Sequence, residues 1–299
     1  MISVSEALQH IEKYCTPDKK VLKSIEKILG LVLAEDVVSP INMPPFRQSS
    51  MDGYAYIHSE ETNYKVVGEV QAGSGADIQL NPGEAVRIFT GAKVPDAADT
   101  IVIQENVNRG GDFIEITKIP NKEANVRPLG EQIKTGEIAL EKGTELNEAA
   151  IGFLASIGVA KVKVYKTPKV SILVTGNELQ QLRTKLDEGK VYESNSITLK
   201  IALKRIGVKK VKIRRVKDTL EATKKAVAKC LAKSDIVLIS GGISVGDYDF
   251  VKQALEENGV NEVFYKINQR PGKPIWFGSK KNKLVYALPG NPASSLSCF

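Results

Sequence analysis

Short apolar runs alternate with segments of helical periodicity through the second half of the chain. The runs are typical of strands and fall at residues 170–174, 211–216, 236–239 and 284–288. Between them, apolar residues recur every three or four positions, as on the buried face of a helix. Because strands and helices alternate, the pattern predicts a doubly wound, mainly parallel α/β sheet with helices on both faces. The polar segment 279–282 predicts a hairpin turn before the last strand.

Polar residues at fixed spacing mark three helix starts. Ser3 and Glu6 have the spacing of a capping box, and Asp218 and Glu221 repeat it. Asn147 precedes a third apolar stripe, where an amide is a favoured N-cap. We therefore expect helices to begin next to these residues.

Residues 40–135 follow a different pattern, with short β-rich runs separated by Gly and Pro, and they predict an inserted β-rich module. We expect the flanking segments, 1–39 and 136–165, to pair across the insertion as one discontinuous, elongated N-terminal unit. The α/β domain then covers 166–299, and its last helix, which starts near Pro292, is expected to be truncated at the final residue. The sequence thus predicts a multidomain protein of α/β plus β class.

The composition is that of an ordinary globular protein, since the 299 residues are 42% hydrophobic and 26% charged. Three widely separated cysteines do not indicate a disulfide framework, and the two histidines lack partners at the spacing of a zinc site. No apolar run approaches the length of a membrane span, and the N-terminus has no signal-peptide profile. We expect a soluble, reduced, cytoplasmic protein.

The net charge of +7 is concentrated in one basic run, residues 200–217, which contains no acid. Alternating Val211, Ile213 and Val216 within this run indicate a strand whose charges lie on a solvated face, and we favour that interpretation. Attraction of an anionic ligand is the second interpretation. Binding of nucleic acid comes last, since the run lacks the aromatic or fold-level motifs of such proteins.

Four polar loops follow strands in the α/β region, at 175–178, 240–249, 270–274 and 288–292. In an open α/β sheet such loops converge at the carboxyl edge, where ligands bind. Each loop alone is compatible with an ordinary turn. The four together favour a site for an anionic ligand held with a metal ion, and Arg270 and Lys273 supply fixed positive charge there.

Acids near these loops suit a hard cation, since Glu178, Asp218 and Asp249 offer the oxygen ligands that Mg²⁺ prefers. Asp218 also fits a structural role, because its capping box with Glu221 accounts for it without a metal, and both interpretations stay open. The glycines of 240–246 do not have the dinucleotide-binding spacing, and no P-loop lysine follows them. The loops therefore indicate phosphate or oxyanion binding of another kind.

Six motifs occur in order and span nearly the whole chain. They are Ser-Ser-Met-Asp-Gly-Tyr-Ala at 49–55, Arg-Ile-Phe-Thr-Gly-Ala at 87–92, Thr-Gly-Asn-Glu-Leu at 175–179, Ser-Gly-Gly-Ile-Ser-Val-Gly at 240–246 with Asp249, Pro-Gly-Lys-Pro at 271–274 and Leu-Pro-Gly-Asn-Pro at 288–292. Each is weak alone. Together they closely resemble the molybdopterin molybdenumtransferase family of molybdenum-cofactor biosynthesis, which is related to the C-terminal domain of gephyrin.

The resemblance implies an enzyme that inserts molybdate into the dithiolene of adenylylated molybdopterin and releases AMP, with Mg²⁺ as cofactor. Both substrates are anionic, so Arg270 and Lys273 would offset their charge. The catalytic positions that match the family are Asp52, Thr90, Glu178 and Asp249, and the metal positions are Asp249, Glu178 and Asp218. Substrate binding is expected at Ser240, Gly241, Gly242, Ser244, Arg270, Lys273, Pro289, Gly290, Asn291 and Pro292.

The family forms homodimers in which the β module of one subunit faces the α/β domain of the other. The resemblance assigns dimerisation to the discontinuous N-terminal unit and implies that Asp52 and Thr90 act on the site of the partner subunit. Without the resemblance, Asp52 with the glycine after it also fits a turn, and Thr90 also fits a strand end. We expect neither nucleic acid nor a membrane as a partner.

Two departures from the family bear on turnover. Gln132 stands where the family usually has an aspartate, and an amide can neither charge-pair with a metal nor act as a base. The family also continues into a small C-terminal β domain, which we expect to be absent here. We expect the chain to dimerise and bind pterin more readily than it catalyses. Two alternatives stay open: a molybdopterin adenylyltransferase, which shares this α/β domain type, and a non-enzymatic pterin-binding scaffold.

Overall fold

The structure, a computed structural model, describes residues 1–17, 19–75, 78–243 and 250–299. Within these ranges the chain divides into two compact units, one formed by Met1–Val21 with Val164–Phe299 and the other by Leu22–Lys163. The α-helices of the described residues are α1 (Val4–Tyr14), α2 (Glu148–Ser156), α3 (Asn195–Arg205), α4 (Leu220–Lys233), α5 (Phe250–Glu257) and α6 (Pro292–Ser297). Over the same ranges, no helix has the length and apolar character needed to cross a membrane.

The strands are numbered along the chain. They are β1 (Lys20–Ser24), β2 (Val37–Val38), β3 (Gln48–Ser49), β4 (Gly53–Tyr56), β5 (Asn63–Val70), β6 (Glu84–Ile88), β7 (Thr100–Ile103), β8 (Val107–Gly110), β9 (Phe113–Ile116), β10 (Val126–Arg127), β11 (Ile138–Leu140), β12 (Lys161–Tyr165), β13 (Val170–Thr175), β14 (Leu179–Gln180), β15 (Val191–Tyr192), β16 (Val211–Val216), β17 (Ile236–Ser240), β18 (Asn261–Tyr265), β19 (Trp276–Lys280) and β20 (Lys283–Leu288). Two short 3₁₀ helices lie at Ile25–Lys27 and Gln104–Asn106.

The first unit contains a six-stranded sheet in the order β16-β13-β17-β20-β19-β18. The strands from β16 to β20 in this order are parallel, and β19 runs antiparallel to both of its neighbours. The predicted α/β class and the mainly parallel sheet are therefore confirmed for this unit. The predicted hairpin turn at 279–282 is confirmed as well, because Lys280 pairs with Lys283 across the turn that joins β19 to β20.

Each face of this sheet carries its own hydrophobic core. In β13, Ile172 packs in one cluster with residues of α1 and α3, whereas its neighbour Leu173 packs in a second cluster with residues of α4 and α5. Both side chains are fully buried, and complete burial of such a side chain stabilises a fold by about 1.5–3 kcal/mol. The continuous apolar run of β13 thus reflects helices on both sides of the sheet.

The edge strand β16 has the solvated face that its sequence predicted. Val211 and Ile213 pack against the core, while Lys212 between them is exposed. Arg215 forms an ion pair with the buried carboxylate of Glu193, with 3.2 Å between nitrogen and oxygen. Part of the basic run therefore has a structural partner, and Lys212 faces solvent.

Two predicted helix caps are confirmed. Ser3 and Glu6 form a reciprocal capping box, in which the Ser3 N–H donates to the Glu6 carboxylate at 2.7 Å and the Glu6 N–H donates to Ser3 Oγ at 3.2 Å. Asn147 Oδ1 accepts from the Ala150 N–H at 2.9 Å at the start of α2. Each cap satisfies a donor that the first helical turn leaves free.

The predicted cap at Asp218 is wrong. The N-cap of α4 is Thr219, which makes no side-chain capping bond. The Asp218 carboxylate instead accepts a hydrogen bond from the Thr175 hydroxyl at 2.8 Å. The sheet register explains this contact, because Thr175 at the end of β13 pairs with Val216, two residues before Asp218.

The second unit contains a six-stranded sheet in the order β7-β4-β6-β5-β9-β8, antiparallel except for the β5–β6 pair. Neighbouring residues of β4 enter different cores, Ala55 with Val86 on one face and Tyr54 with Val102 on the other. The strands from β3 to β10 lie within 40–135, in agreement with its predicted β-rich character, and the inserted module with these bounds stays a prediction.

Segments from the two sides of the predicted insertion are hydrogen-bonded to each other. The Leu33 N–H donates to the Thr144 carbonyl at 3.0 Å, and the Ser39 N–H donates to the Glu137 carbonyl at 2.9 Å. Strands β2 and β11 pair antiparallel between these contacts. This pairing agrees with the expected discontinuous unit, while the three-part division and its boundaries stay a prediction, because the compact units described above are two.

Candidate functional site

The carboxyl ends of three central strands lie side by side. Val174 pairs with Ser240, and Ser240 pairs with Leu288, so β13, β17 and β20 end at the same level. The loops that begin at Thr175, Ser240 and Leu288 therefore start from one edge of the sheet. This is the edge at which open α/β sheets bind ligands.

The loop that carries Arg270 and Lys273 starts from the same edge. Tyr265, the last residue of β18, pairs with Trp276, and Trp276 pairs with Ala287 near the end of β20. Arg270 and Lys273 are exposed, and neither side chain has a hydrogen bond or ion pair to another described residue. Two uncompensated positive charges are thus available to an anion at this edge.

Contacts to α6 hold this loop in place. Gln269 Nε2 donates to the Ser297 carbonyl at 3.1 Å, and Cys298 Sγ donates to the Gly272 carbonyl at 3.1 Å. Burial raises the pKa of the Cys298 thiol to about 11. The thiol therefore stays protonated at neutral pH and keeps its role as donor.

A cavity of about 320 Å³ lies beside the ends of β13 and β17. Its walls include Thr175, Glu178, Ser240 and Gly290, together with the segment 191–195. Hydroxyl, carboxylate and backbone groups thus surround a space of the size of small-ligand pockets, which span roughly 300–1,000 Å³.

Asn195 joins two of these loops. Its Nδ2 donates to Ser240 Oγ at 2.8 Å and to the Gly290 carbonyl at 2.8 Å, and the residue is only 9% exposed. The orientation of the amide follows from the chemistry of these partners, because a carbonyl oxygen accepts hydrogen bonds and never donates. Asn195 at the start of α3 therefore fixes the ends of β17 and β20 relative to each other.

The other amide atom of Asn195 has no partner. Its Oδ1 is buried and makes no hydrogen bond to any described residue. A buried acceptor left unpaired costs about 1–3 kcal/mol. No sequence motif identifies this role of Asn195, because its partners lie 45 and 95 residues away. The residue before it is the N-cap, Ser194, and it makes no side-chain capping bond.

Glu193 lines the cavity and anchors the start of α3. Its side chain is 2% exposed and accepts from the Ser196 N–H at 2.7 Å and the Ser196 hydroxyl at 2.5 Å, and it pairs with Arg215. Both oxygens of this buried carboxylate thus accept from donors, which is what makes its burial tolerable. Sequence reasoning missed Glu193 as well, since Arg215 lies 22 residues away.

Gly241 and Gly242 are required by the packing of the loop. Both have positive φ, +92° and +65°. A Cβ at Gly241 would lie 2.4 Å from the Thr175 carbonyl oxygen, and one at Gly242 would lie 2.7 Å from a methyl group of Val251. The predicted site residues Ser244 and Asp249 fall outside the described residues.

The loop after β20 has mixed roles. Pro289 is buried, and the Gly290 carbonyl receives the bond from Asn195. Asn291 is the N-cap of α6, since its Oδ1 accepts from the Ser294 N–H at 3.2 Å. Pro292 is the first residue of that helix and also lines the cavity. Asn291 therefore has a structural role that the motif alone does not reveal.

The predicted metal ligands are brought together in part. Glu178 lines the cavity, and Asp218 is held by the hydroxyl of Thr175, which lines the same cavity. The described residues contain no group of three or more His, Cys, Asp or Glu side chains arranged for a metal, and Asp249 lies outside them. The donor chemistry of the two carboxylates and the hydroxyl fits a hard cation such as Mg²⁺.

In the second unit, the predicted residues Asp52 and Thr90 contact each other directly. Asp52 Oδ1 accepts from the Thr90 N–H at 2.7 Å and from the Thr90 hydroxyl at 2.8 Å. These two hydrogen bonds, followed by the charge of Arg87, hold the pKa of Asp52 below its usual value of 3.8. Asp52 is therefore a fixed carboxylate at neutral pH. Gln132 is exposed, and its backbone N–H donates to the Met43 carbonyl at 2.9 Å.

Comparison with known families and proteins gives consistent matches. Residues 2–158 match the MoeA N-terminal region (domain I and II), and residues 171–299 match a probable molybdopterin binding domain. Molybdopterin molybdenumtransferase of Haemophilus influenzae is 36% identical, over 97% of this chain and 72% of that protein. The protein of the same name from Staphylococcus aureus (strain Mu50) is 34% identical, over 100% of this chain and 73% of that protein.

Two solved structures also match this chain. The crystal structure of the molybdopterin biosynthesis MoeA protein from Pyrococcus horikosii matches with a TM-score of 0.82 at 32% identity, covering 100% of this chain and 77% of that one. A molybdenum cofactor biosynthesis protein from Pyrococcus furiosus matches with a TM-score of 0.52 at 20% identity, covering 100% and 68%. The second likeness concerns the fold alone. The first agrees with a multidomain α/β protein.

Proposed function

The chain belongs to the molybdopterin molybdenumtransferase family, whose members are enzymes of molybdenum-cofactor biosynthesis, and on this premise we propose its reaction and site. It inserts molybdenum, supplied as molybdate, into adenylylated molybdopterin and releases AMP. The cytoplasmic location expected from the composition belongs to the same proposal.

The observation that carries the proposal is the Asn195 cluster at the carboxyl edge. One amide joins the loops after β17 and β20, while its own oxygen is buried without a partner next to a cavity. A fold tolerates such a cost at a place where a ligand donor relieves it. A pterin ring carries amide and amino N–H groups of the required kind.

Positive charge at the same edge supports binding of an anionic substrate. Arg270 and Lys273 are exposed and unpaired within the described residues, so they would contact molybdate and the phosphates of the substrate. The backbone and hydroxyl groups of the segment from Ser240 to Ser244 would hold the pterin phosphate. Gly241 and Gly242 are needed in this segment because their packing leaves no room for a side chain.

Glu178 and Asp218, with Asp249, would hold Mg²⁺ at this edge. The ion would neutralise charge at the phosphoanhydride that is broken. Thr175 contributes by donating a hydrogen bond from its hydroxyl to one oxygen of Asp218, which restricts the orientation of that carboxylate.

We include the homodimer in the proposal, with Asp52 and Thr90 acting on the site of the partner subunit. A test is to mix two inactive variants, Asp52→Asn and Lys273→Gln. If the site is shared, hybrid dimers contain one intact site, and a statistical mixture regains about a quarter of wild-type activity. A mixture that stays inactive while hybrid dimers form shows that the site is not shared in this way.

The main experiment supplies purified full chain with adenylylated molybdopterin, molybdate and Mg²⁺, and follows AMP by chromatography. The expected result is AMP release that requires molybdate and is lost in Lys273→Gln. The matched control is Lys281→Gln, which changes the same charge on an exposed lysine in the turn between β19 and β20 and is expected to leave release unchanged.

Other outcomes assign the chain to the alternative functions. Formation of adenylylated product from molybdopterin and Mg-ATP would make the chain an adenylyltransferase. Binding of the adenylylated pterin without any molybdate-dependent AMP release would make it a scaffold or carrier. Each of these results rejects the proposed insertion reaction.

A further inference from the structure

A second cavity, lined mainly by lysines, lies at the amino edge of the sheet in the first unit. It has a volume of about 530 Å³ and lies where β13 and β16 begin and α4 ends. Since parallel strands carry their carboxyl ends to the opposite edge, this cavity is separate from the one beside Ser240. No substrate of the proposed reaction accounts for it.

Lysines dominate the lining of this cavity. Five of them border it from three segments of chain, namely Lys169, Lys209, Lys210, Lys212 and Lys233. All five are exposed, and within the described residues none of their ammonium groups forms an ion pair or hydrogen bond. The other lining groups are small or aliphatic, such as Val170 and Ala232.

Asp235 follows the cavity residue Ser234 in sequence, and other lysines already balance its charge. The Asp235 carboxylate accepts from the Lys169 backbone N–H at 2.9 Å and lies 3.2 Å from the Lys19 ammonium and 3.6 Å from that of Lys283. These contacts hold the pKa of Asp235 below its usual value against the opposing effect of burial. Asp235 therefore leaves the five lysines uncompensated.

The backbone under these lysines is fixed. The Val170 N–H donates to the Lys210 carbonyl at 2.9 Å, and the Asp235 N–H donates to the Lys169 carbonyl at 2.8 Å. Lys233 is the last residue of α4, where its charge offsets the partial negative charge of the helix end. The ammonium groups thus extend from a hydrogen-bonded backbone. Binding of a ligand therefore has to order the lysine side chains but not the backbone.

From this geometry we propose that the cavity binds a small polyphosphate, either an inorganic chain or the triphosphate of a nucleotide. Five neighbouring cations repel one another, and a multiply charged anion relieves that repulsion. The concave shape and the volume fit a compact ligand, since small-molecule pockets span about 300–1,000 Å³.

The test is calorimetric titration of the full chain with sodium tripolyphosphate at low ionic strength, where exposed charges act over the longest range. We expect saturable binding that weakens as salt is added, and much weaker binding of orthophosphate. Replacing two lysines by glutamine, Lys210→Gln with Lys212→Gln, is expected to lower the affinity by about tenfold or more, because each exposed charge contributes roughly a few-fold. A second pair, Lys169→Gln with Lys233→Gln, is expected to act in the same way.

Control variants separate this cavity from general surface charge. Lys225→Gln with Lys229→Gln changes the same charge on exposed residues of α4 that do not line the cavity, and is expected to leave affinity within about twofold. Equal loss in this control overturns the inference, as does absence of binding at millimolar tripolyphosphate.

Two further arms locate and identify the ligand. ATP that binds more tightly than tripolyphosphate identifies a nucleotide site, whereas equal affinities identify an inorganic polyphosphate site, and both support the proposal. Loss of binding in Lys273→Gln with retention in the Lys210→Gln, Lys212→Gln variant assigns the ligand to the carboxyl edge and overturns it. Tighter binding of a single-stranded oligonucleotide than of either polyphosphate also overturns it.

Discussion

Asn195 offers a test in which the milder-looking substitution is the more damaging. Asn195→Ala removes two hydrogen bonds of 2.8 Å, to Ser240 and Gly290, worth about 1 kcal/mol each. It also removes the unpaired buried Oδ1, and the end of that penalty offsets the loss of stability by roughly 1 kcal/mol. We expect a net loss of about 1 kcal/mol in the free energy of unfolding.

Asn195→Asp keeps the shape but replaces the donor by an acceptor. The Ser240 hydroxyl can rotate and donate to the introduced carboxylate, but the Gly290 carbonyl cannot donate, so two oxygens face each other in a partly buried site. A buried carboxylate without a full set of donors costs about 3 kcal/mol or more. The larger loss is therefore expected from the isosteric change, by a margin of about 2 kcal/mol.

The pH dependence gives a second signature of the same reasoning. Burial and the facing carbonyl raise the folded-state pKa of the introduced carboxyl above its unfolded value, so the folded state holds the proton more tightly. The Asn195→Asp variant should then gain stability as pH falls from 8 towards 5, because the protonated carboxyl can donate to Gly290. Asn195→Ala should show no such gain.

The assay is urea unfolding followed by the fluorescence of Trp276, the single tryptophan of the chain, which is fully buried in β19 of the same unit. The control is the same pair of substitutions at Asn268, which is exposed and should change the stability by less than about 0.5 kcal/mol. Equal stability of Asn195→Asp and Asn195→Ala at pH 8 would show that the amide does not donate to Gly290.

Three further predictions concern single groups. Gly241→Ala places a Cβ 2.4 Å from the Thr175 carbonyl oxygen at a φ of +92°. It should lower the free energy of unfolding by about 2 kcal/mol or more in the same fluorescence assay. A decrease below about 1 kcal/mol contradicts the loop geometry. Because its bonds to Thr90 lower its pKa, the Asp52 carboxyl should titrate with a midpoint below 3.8 in carbon NMR. Its contribution to the stability of the fold is then present above pH 3.8 and is lost as the pH falls through the folded-state pKa. A midpoint at or above 3.8 contradicts this prediction. The rate of alkylation of Cys298 in the native protein, followed by mass spectrometry, should still rise with pH through about 9 and 10, because the pKa of this thiol is about 11. A rate that reaches its plateau below about pH 9 would show that the thiol is less buried.

Local patterns predicted those parts of the fold that depend on neighbours in sequence. The continuous apolar run of β13 predicted a strand with helices on both faces, and Ile172 and Leu173 do enter opposite cores. The caps at Ser3 and Asn147 were predictable because each bonds to a group three residues away. The hairpin between β19 and β20 follows the same rule.

Contacts set by sheet order could not be predicted in this way. Asp218 has the spacing of a capping box, yet its partner is Thr175, 43 residues earlier, because β16 and β13 are neighbours in the sheet. Asn195 bonds to Ser240 and Gly290, which are 45 and 95 residues away. Single-sequence reasoning names the loops of such a site, but it does not identify the side chain that joins them.

The two basic edges of the sheet should act independently of each other, and this makes their tests separable. Strand β13 has six residues and at about 3.3 Å per residue spans roughly 20 Å, so the lysine-lined cavity and the carboxyl-edge loops lie about that far apart. The Debye length at physiological ionic strength is about 8 Å, so each edge is largely screened from the other. Neutralising Lys210 and Lys212 should therefore leave AMP release unchanged, and Lys273→Gln should leave binding of tripolyphosphate unchanged. A change in both activities from either variant would mean that one ligand site, and not two, accounts for the positive charge of this unit.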